Sequence, residues 1–486
     1  MRSMSWVKGL GRRPWVALIV LIVLGAGLAA ACGEARPTDA GPSPAALAEQ
    51  PIATSSPTSL GVPATQAGVS APAAFKAQER PNVLLITVDT LRADAVAAYG
   101  NPRLSTPNMD SLAGEGAKFT LAVSAMPQTN PTHATIFTGS FPSRHAIFHH
   151  MASLLSESVK PLAEILQEVG YTTAGHFSWI SFDPQYSGLE RGFATWERHT
   201  VDRPFPPGKT PDFYEEYLDS KADVTSDGVL SWLEGGASEP FFLWIHYNDA
   251  HWPYEPPAPF GSMFTQCQTC MDGSMDSIKR IAEGYAPSPE EAAHLRGLYD
   301  GEVAFVDQQL GRVLGWLREK EVLDRTVVVL TADHGEGFGE KGLYSHQEVL
   351  YTTATRVPLI IRYPEMVPAS VVKAPASSVD ILPTLMDILG MDAPEGIHGK
   401  SLLPLVLGQE DGKERAVFSQ LWDSRKVAVF YQDKELIKDR STGSVQLYDL
   451  EQDLLENNDL AQAQPDMARS LEQRLDAWVL DQGLGP

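Results

Sequence analysis

Four short runs stand out as nearly continuous apolar segments: NVLLITV (82–88), FFLWIHY (241–247), TVVVLTA (326–332) and VPLIIRY (357–363). A strand with one wet face alternates polar and apolar positions, so an unbroken run predicts a strand buried on both faces. Helical periodicity lies between the runs. In 301–320, Val303, Val306, Leu310, Val313, Leu314 and Leu317 fall on one face of a helix. Strands alternating with helices predict an α/β fold whose central sheet is mostly parallel and covered on both faces. The pattern changes after the polar break GQEDGKER (408–415). Short alternating segments follow, KVAVFY (426–431) and SVQLYDL (444–450), and then a helix over about 465–480. This predicts a small antiparallel sheet plus one helix, a C-terminal subdomain spanning 411–486 after a catalytic domain spanning 80–410.

The first 79 residues do not read as fold. Arg2, Lys8, Arg12 and Arg13 precede an apolar stretch from Trp15 to Ala31 that ends in small residues and Cys32. Residues 1–32 are therefore read as a targeting segment. A cysteine after Leu28-Ala29-Ala30-Ala31 resembles the lipobox of bacterial lipoproteins, although that motif usually has leucine where Ala29 stands. The other reading is an uncleaved signal anchor, since about 17 apolar residues is the lower limit for a bilayer span. Either way the remainder is expected outside the cytoplasmic membrane of a bacterium, in the periplasm or at the cell surface, and tethered to the membrane. Residues 33–79 are rich in Ala, Pro, Ser, Thr and Gly and read as a disordered linker.

The 486 residues carry a net charge of −23. That balance excludes a nucleic-acid partner, because no basic stripe exists to neutralise phosphates. Beyond Cys32 the cysteines are Cys267 and Cys270, whose CxxC spacing in an oxidising compartment predicts a local disulfide.

The candidate chemistry sits where the buried runs end, which is where doubly wound sheets bind ligands. Asp89 follows the first run, Asp249 and His251 the second, and Asp333 and His334 the third, with His346 closing that last stretch. One aspartate after a strand commonly caps a helix. Three strand ends carrying Asp, Asp-x-His and Asp-His predict a divalent metal site. In PQTNPTHATIFTG (127–139), Pro131 suits the first turn of a helix and Gly139 its stop, which makes Thr129 or Asn130 the N-cap. Taken alone, Thr129 merely caps. Beside a cation and a helix N-terminus its hydroxyl becomes a candidate nucleophile.

Several ordered motifs resemble the sulfatase family of the alkaline phosphatase superfamily. They are VDTLRADAVAAYG (88–100), TNPTHATIFTG (129–139), YNDAHWPYEPP (247–257), YDGEVAFVDQQLGRVL (299–314), TADHGEGFGEKGLYSHQ (331–347), RVPLIIRYP (356–364), SVDILPTLMDILG (378–390) and SVQLYDLEQDLLENNDLA (444–461). The resemblance implies an alkaline-phosphatase-like sandwich, a smaller C-terminal subdomain, a divalent metal at the strand ends and a nucleophile at a helix start. The family nucleophile motif is Cys or Ser-x-Pro-Ser-Arg, whose first residue becomes formylglycine. Here Thr129, Asn130, Pro131, Thr132 and His133 occupy it. A β-methyl cannot give that aldehyde. Thr90 replaces the family's second aspartate, and Asp333-His334 replaces Asp-Asn. This set is similar to nucleotide pyrophosphatase/phosphodiesterases and phosphoethanolamine transferases.

That match implies that Asp89, Thr129, Asp333 and His334 form the main metal site. His251 and His346, with Asp249, would bind the transferred group or a second cation, and a histidine would protonate the leaving group. Fewer carboxylates and more imidazole favour zinc or manganese over calcium. The expected enzyme is a sulfatase-like, metal-dependent hydrolase of phosphate or sulfate esters in a small molecule, glycan or lipid, using Thr129 and a covalent intermediate. The alternatives are a phosphoethanolamine-type transferase acting on envelope lipid or glycan, and an inactive protein that binds anionic glycans. Asp300 and Glu302 are expected to be solvated or helix-start charges, Arg92 and Asp94 a local ion pair, and His145, His149 and His150 a polar loop.

Overall fold

The computed structural model describes residues 80–149, 151–200, 221–346 and 349–485. The expected targeting segment and linker and His150 lie outside the described residues. No helix among the described residues is long and apolar enough to cross a membrane.

The apolar runs form strands β1 (Asn82–Val88), β3 (Phe241–Tyr247) and β4 (Thr326–Ala332), each buried at every position. With β2 (Thr172–Phe177) and β5 (Leu359–Arg362) they make the heart of an eight-stranded sheet. Its order runs Ser370–Val372, Ala117–Phe119, β5, β4, β1, β3, β2, Thr195–Arg198. β1 is parallel to both β3 and β4, and β2 is parallel to β3. β5 runs antiparallel to β4, so the sheet is mixed but mostly parallel. The fourth apolar run is two strands rather than one. Pro358, which has no N–H to give a ladder, separates Arg356–Val357 in a small three-stranded sheet from β5 in the large one.

Helices cover both faces. On one, α1 (Thr129–Thr138) packs His133 and Phe137 against Trp244 of β3. On the other, Ser226 of α2 (Ala222–Glu234) bonds the Tyr247 hydroxyl at 2.8 Å. The periodic helix is longer than its apolar stripe predicts. It is α3 (Pro289–Glu319), begun by a capping box of Ser288 and Glu291. Asp300 and Glu302 therefore lie inside α3 and are fully buried, not solvated or at its start. Asp300 pairs with Arg103 and Arg296, and Glu302 with Lys221. Their charges are held by partners brought from distant segments, which the local sequence does not reveal.

The C-terminal element is a four-stranded antiparallel sheet, Ala416–Gln420, Lys426–Tyr431, Lys434–Asp439 and Ser444–Asp449, with helix α4 (Pro465–Asp481). Val427, Val429, Leu436 and Leu447 pack on Leu471, Leu475 and Trp478 of α4. The opposite face, with Ala428, Phe430 and Ile437, packs on Leu121, Val123 and Leu350 of the main body. Cys267 and Cys270 form a disulfide.

On that inward face Glu435 and Glu456 share a buried site. Thr352 donates to Glu456 Oε2 from its amide at 3.0 Å and its hydroxyl at 2.9 Å. Burial pushes the Glu435 carboxyl well up, and the neighbouring Glu456 pushes it further. The folded state thus holds a proton that the unfolded chain has already lost. The stability it contributes is present below the ordinary glutamate range and lost as pH rises through the folded value. Each unit of upward shift corresponds to about 1.4 kcal/mol. Glu435→Gln, which keeps the shape without the titration, is expected to raise Tm at pH 8 by about 2–4 °C and leave Tm at pH 5 nearly unchanged. Calorimetry at the two pH values checks this.

Candidate active site

Asp89 sits immediately beyond β1, its amide bonded to the Tyr247 carbonyl at the end of β3 at 2.9 Å. Asp333 and His334 sit beyond β4. Because the strands are parallel, these ends lie side by side. Ligand atoms of Asp89, Asp333 and His334 fall within 4.8 Å of one another, and all three residues are buried.

The local geometry aims these side chains. Asp333 Oδ1 accepts the amides of Thr90 at 3.2 Å and His334 at 2.8 Å, which leaves Oδ2 without a partner. His334 Nδ1 donates to the Gly335 carbonyl at 3.1 Å, so Nε2 carries a lone pair toward Asp333 Oδ2 at 3.5 Å and Asp89 Oδ1 at 3.8 Å. Gly335 is required there, because a Cβ would lie 2.1 Å from the Thr353 carbonyl oxygen. Thr90 and Ala250 both hold left-handed backbone, with φ of 54° and 84°. The Thr90 hydroxyl donates to the Ala250 carbonyl at 2.7 Å and ties the first strand end to the second.

Asp89 Oδ1 and Oδ2, Asp333 Oδ2 and His334 Nε2 are buried with no hydrogen-bond partner. Four orphaned acceptor atoms on one spot require a cation. Burial pushes Asp333 up to about 7, and the charge of Asp89 adds to that. Burial pushes Asp89 up as well, against the pull of His251 and His334. Burial pushes His334 down to about 4 and leaves it a neutral imidazole. The donor set fits a divalent ion, which would hold both carboxylates ionised.

Thr129 is buried and begins α1. It is not the N-cap, and neither is Asn130. Gln128 holds the cap position with no side-chain cap bond, and the helix stops at Gly139 in left-handed backbone. Asn130 is engaged instead with Ser181. The Thr129 carbonyl accepts from His133 Nδ1 at 2.8 Å, and that nitrogen lies 4.0 Å from Asp333 Oδ2. A single imidazole thus links the threonine to the cluster.

His251 and His346 lie beside the cluster. The rings of His334 and His346 are 4.1 Å apart and those of His346 and His251 5.4 Å. His251 Nδ1 donates to the Trp252 carbonyl at 2.7 Å, and Trp179 lies 5.8 Å from its ring. Asp249 faces elsewhere. Its Oδ1 is 3.7 Å from Lys221 Nζ, which also holds Glu302 at 2.8 Å. Glu302 accepts the amides of Ala250 and Glu255 and so braces the loop that carries His251. Arg92 is spent on Asp94, Glu340 and the Glu336 carbonyl and does not face the cluster. His145 is fully buried, with Nε2 on the Thr135 hydroxyl at 3.1 Å.

Three residues at the site were not singled out as site residues from the sequence. Glu336 lies 3.3 Å from His346 Nδ1. Its place in DHGEG, two residues after His334, was a usable signal. His133 registers in the sequence only as a departure from arginine. His246 lies inside β3, where an apolar run hides it, yet its Nε2 is 3.4 Å from Asp89 Oδ2.

A family model described as Sulfatase matches residues 81–391. The chain belongs to the sulfatase family. A second model, N-sulphoglucosamine sulphohydrolase, C-terminal, matches residues 339–480 of this sulfatase-family chain. An N-acetylglucosamine-6-O-sulfatase of Bacteroides thetaiotaomicron is 26% identical, covering 78% of this chain and 79% of that protein. The multifunctional alkaline phosphatase superfamily protein PehA of Trinickia caryophylli is also 26% identical, over 76% of this chain and 83% of its own. Among solved structures, a phosphonate monoester hydrolase of Agrobacterium radiobacter superposes with a TM-score of 0.67 at 22% identity, covering 83% of this chain and 96% of its own. The fold is therefore that of the sulfate and phosphonate ester hydrolases, and the chain is a sulfatase-family ester hydrolase.

Stripping divalent ions with a chelator is expected to lower Tm, and adding one equivalent of zinc to restore it. Asp333→Ala is expected to lose bound metal as measured by elemental analysis, because it removes the carboxylate anchored by two amides.

Proposed function

We propose that this protein hydrolyses phosphate esters with Thr129 as nucleophile, assisted by a zinc or manganese ion held by Asp89, Asp333 and His334. The observation that carries the reading is the position of Thr129. It stands at the first turn of α1 and does not serve as a cap, and one imidazole joins it to the acidic cluster. The amides of a helix's first turn lack internal partners and favour an anion, which suits a phosphoryl group there.

When bound, the ion supplies charge neutralisation for the phosphoryl oxygens and lowers the pKa of a nearby hydroxyl. Thr129 Oγ attacks phosphorus, its proton passes to solvent water, and the P–O bond to the leaving alcohol breaks. His346 delivers a proton to the departing alkoxide, with Glu336 beside its Nδ1 to orient the ring. Water then attacks phosphorus, and Thr129 leaves as the alcohol with phosphate released. Sulfate-ester cleavage through a hydrated aldehyde is closed to a threonine because of its β-methyl group. The two imidazoles beside the cluster and the loss of a carboxylate relative to the family pattern favour zinc or manganese over calcium. Export and membrane tethering through residues 1–32 belong to the same reading, since an envelope location brings such an enzyme to esters of lipids and glycans.

Thr129→Ala is expected to lower kcat on p-nitrophenyl phosphate by about 10³-fold or more while metal content stays near the wild-type value. Thr129→Ser is expected to keep measurable turnover. Wild-type protein compared on p-nitrophenyl phosphate, bis-p-nitrophenyl phosphate and p-nitrophenyl sulfate should prefer a phosphate ester. Full activity in Thr129→Ala, or a strong preference for the sulfate, would overturn the reading.

A further inference from the structure

Thr87, on the α1 face of β1, has one hydroxyl proton to give, and the polar atoms around it decide where that proton goes. Thr87 Oγ1 lies 3.0 Å from each of Trp244 Nε1, His133 Nε2 and His246 Nδ1. A threonine hydroxyl donates one proton and accepts at most two. Trp244 Nε1 only donates, so it takes one of the acceptor places. The Thr129 carbonyl only accepts, so His133 carries its proton on Nδ1, 2.8 Å away. A second proton on His133 would place a charge among Phe137, Phe182 and Trp244, beside the cation drawn to Asp333. His133 Nε2 is therefore a lone pair, and Thr87 donates to it rather than to the Ile245 carbonyl, which is farther away at 3.4 Å and would leave that lone pair facing the hydroxyl oxygen at 3.0 Å. The remaining acceptor place of Thr87 takes the Nδ1 proton of His246.

That chain leaves His246 Nε2 bare. The atom is fully buried, has no hydrogen-bond partner and faces Asp89 Oδ2 at 3.4 Å. Two acceptors that close repel each other unless a cation lies between them. Donor atoms on a tetrahedral zinc with bonds of about 2.0–2.1 Å stand roughly 3.4 Å apart. The same logic of a protonated Nδ1 and a bare Nε2 holds for His334, whose Nε2 is 3.5 Å from Asp333 Oδ2.

We propose that His246 binds the metal through Nε2, joining the cluster of Asp89, Asp333 and His334 from the side of Asp89 Oδ2 and adding a second imidazole to it. This rests on the metal-dependent reading of the site and names a ligand that no motif contributes. A second imidazole moves the site further from calcium and toward zinc. Thr87, Trp244 and His133 then act as positioning residues that hold the His246 tautomer.

The test uses the full chain loaded with one equivalent of zinc and X-ray absorption to count coordinated imidazoles, with zinc affinity measured by chelator competition. Wild-type protein should show two imidazoles. His246→Asn keeps an amide near Thr87 and places nothing where Nε2 was, so it should show one imidazole and bind zinc about 10-fold or more weakly. His246→Gln reaches further and should recover part of the affinity. It carries the test if the Asn variant does not fold. An unchanged imidazole count in the substituted protein, even with weaker binding, would mean that His246 only hydrogen-bonds to Asp89 and would overturn the proposal. Wild-type protein that takes up no zinc would overturn the metal reading itself.

Discussion

Uncompensated charge at the ends of two parallel strands is the constraint on which the structure turns. Asp89 and Asp333 are both fully buried, and neither has a lysine or arginine partner among the described ion pairs. Other buried acids are neutralised within the chain: Asp300 by two arginines, Glu302 by Lys221. Asp89 and Asp333 lack such a cation, and the bare Nε2 of His334 beside them accepts rather than donates, so an ion from outside the chain fits there. The cost of burying them is met only when that ion is present, so binding and folding are linked at this site.

The rest of the scaffold serves that geometry. Parallel pairing of β1 with β3 and β4 places three loops at one edge, and two strained residues lock the first pair of loops together. Non-glycine residues in the left-handed region cost about 1–3 kcal/mol each and persist only where the surroundings over-determine them. Here they are held by the strand-end hydrogen bonds and by Glu302, which reaches from α3 to the amides of Ala250 and Glu255. A helix on the α2 side thus fixes the loop bearing His251, while α1 on the opposite face brings Thr129 and His133.

Much of this was legible in the sequence, and the failures have physical causes. The three unbroken apolar runs became strands with the expected bounds because burial on both faces leaves no other pattern possible. The fourth was misjudged because Pro358 divides it. Asp89, Asp333 and His334 were found because chemistry after a buried strand is conspicuous. Asp300 and Glu302 were misjudged because a charge in a helix looks solvated until its distant partner is known. His246 was hidden for the opposite reason: a histidine inside FFLWIHY reads as core, and only the hydrogen bonds of Thr87 show which of its nitrogens is free.

The fold does not decide which ester is cleaved. The same architecture carries sulfatases and a phosphonate monoester hydrolase, and it superposes on this chain over 83% of its length. What distinguishes this chain must be local, and the distinguishing residues are coupled. Thr129 replaces the residue that would become an aldehyde, and His133 replaces the arginine beside it. His133 bonds both the Thr129 carbonyl and Thr87, and Thr87 in turn bonds His246 next to Asp89. Thr129 and the carboxylate of Asp89 are therefore ends of one hydrogen-bonded chain. An arginine at 133 would remove the Nε2 acceptor of Thr87 and let the hydroxyl donate to His246 Nδ1 instead, so that the His246 proton turns toward Asp89. The substitutions at 129 and 133 make chemical sense only together with the imidazole at 246.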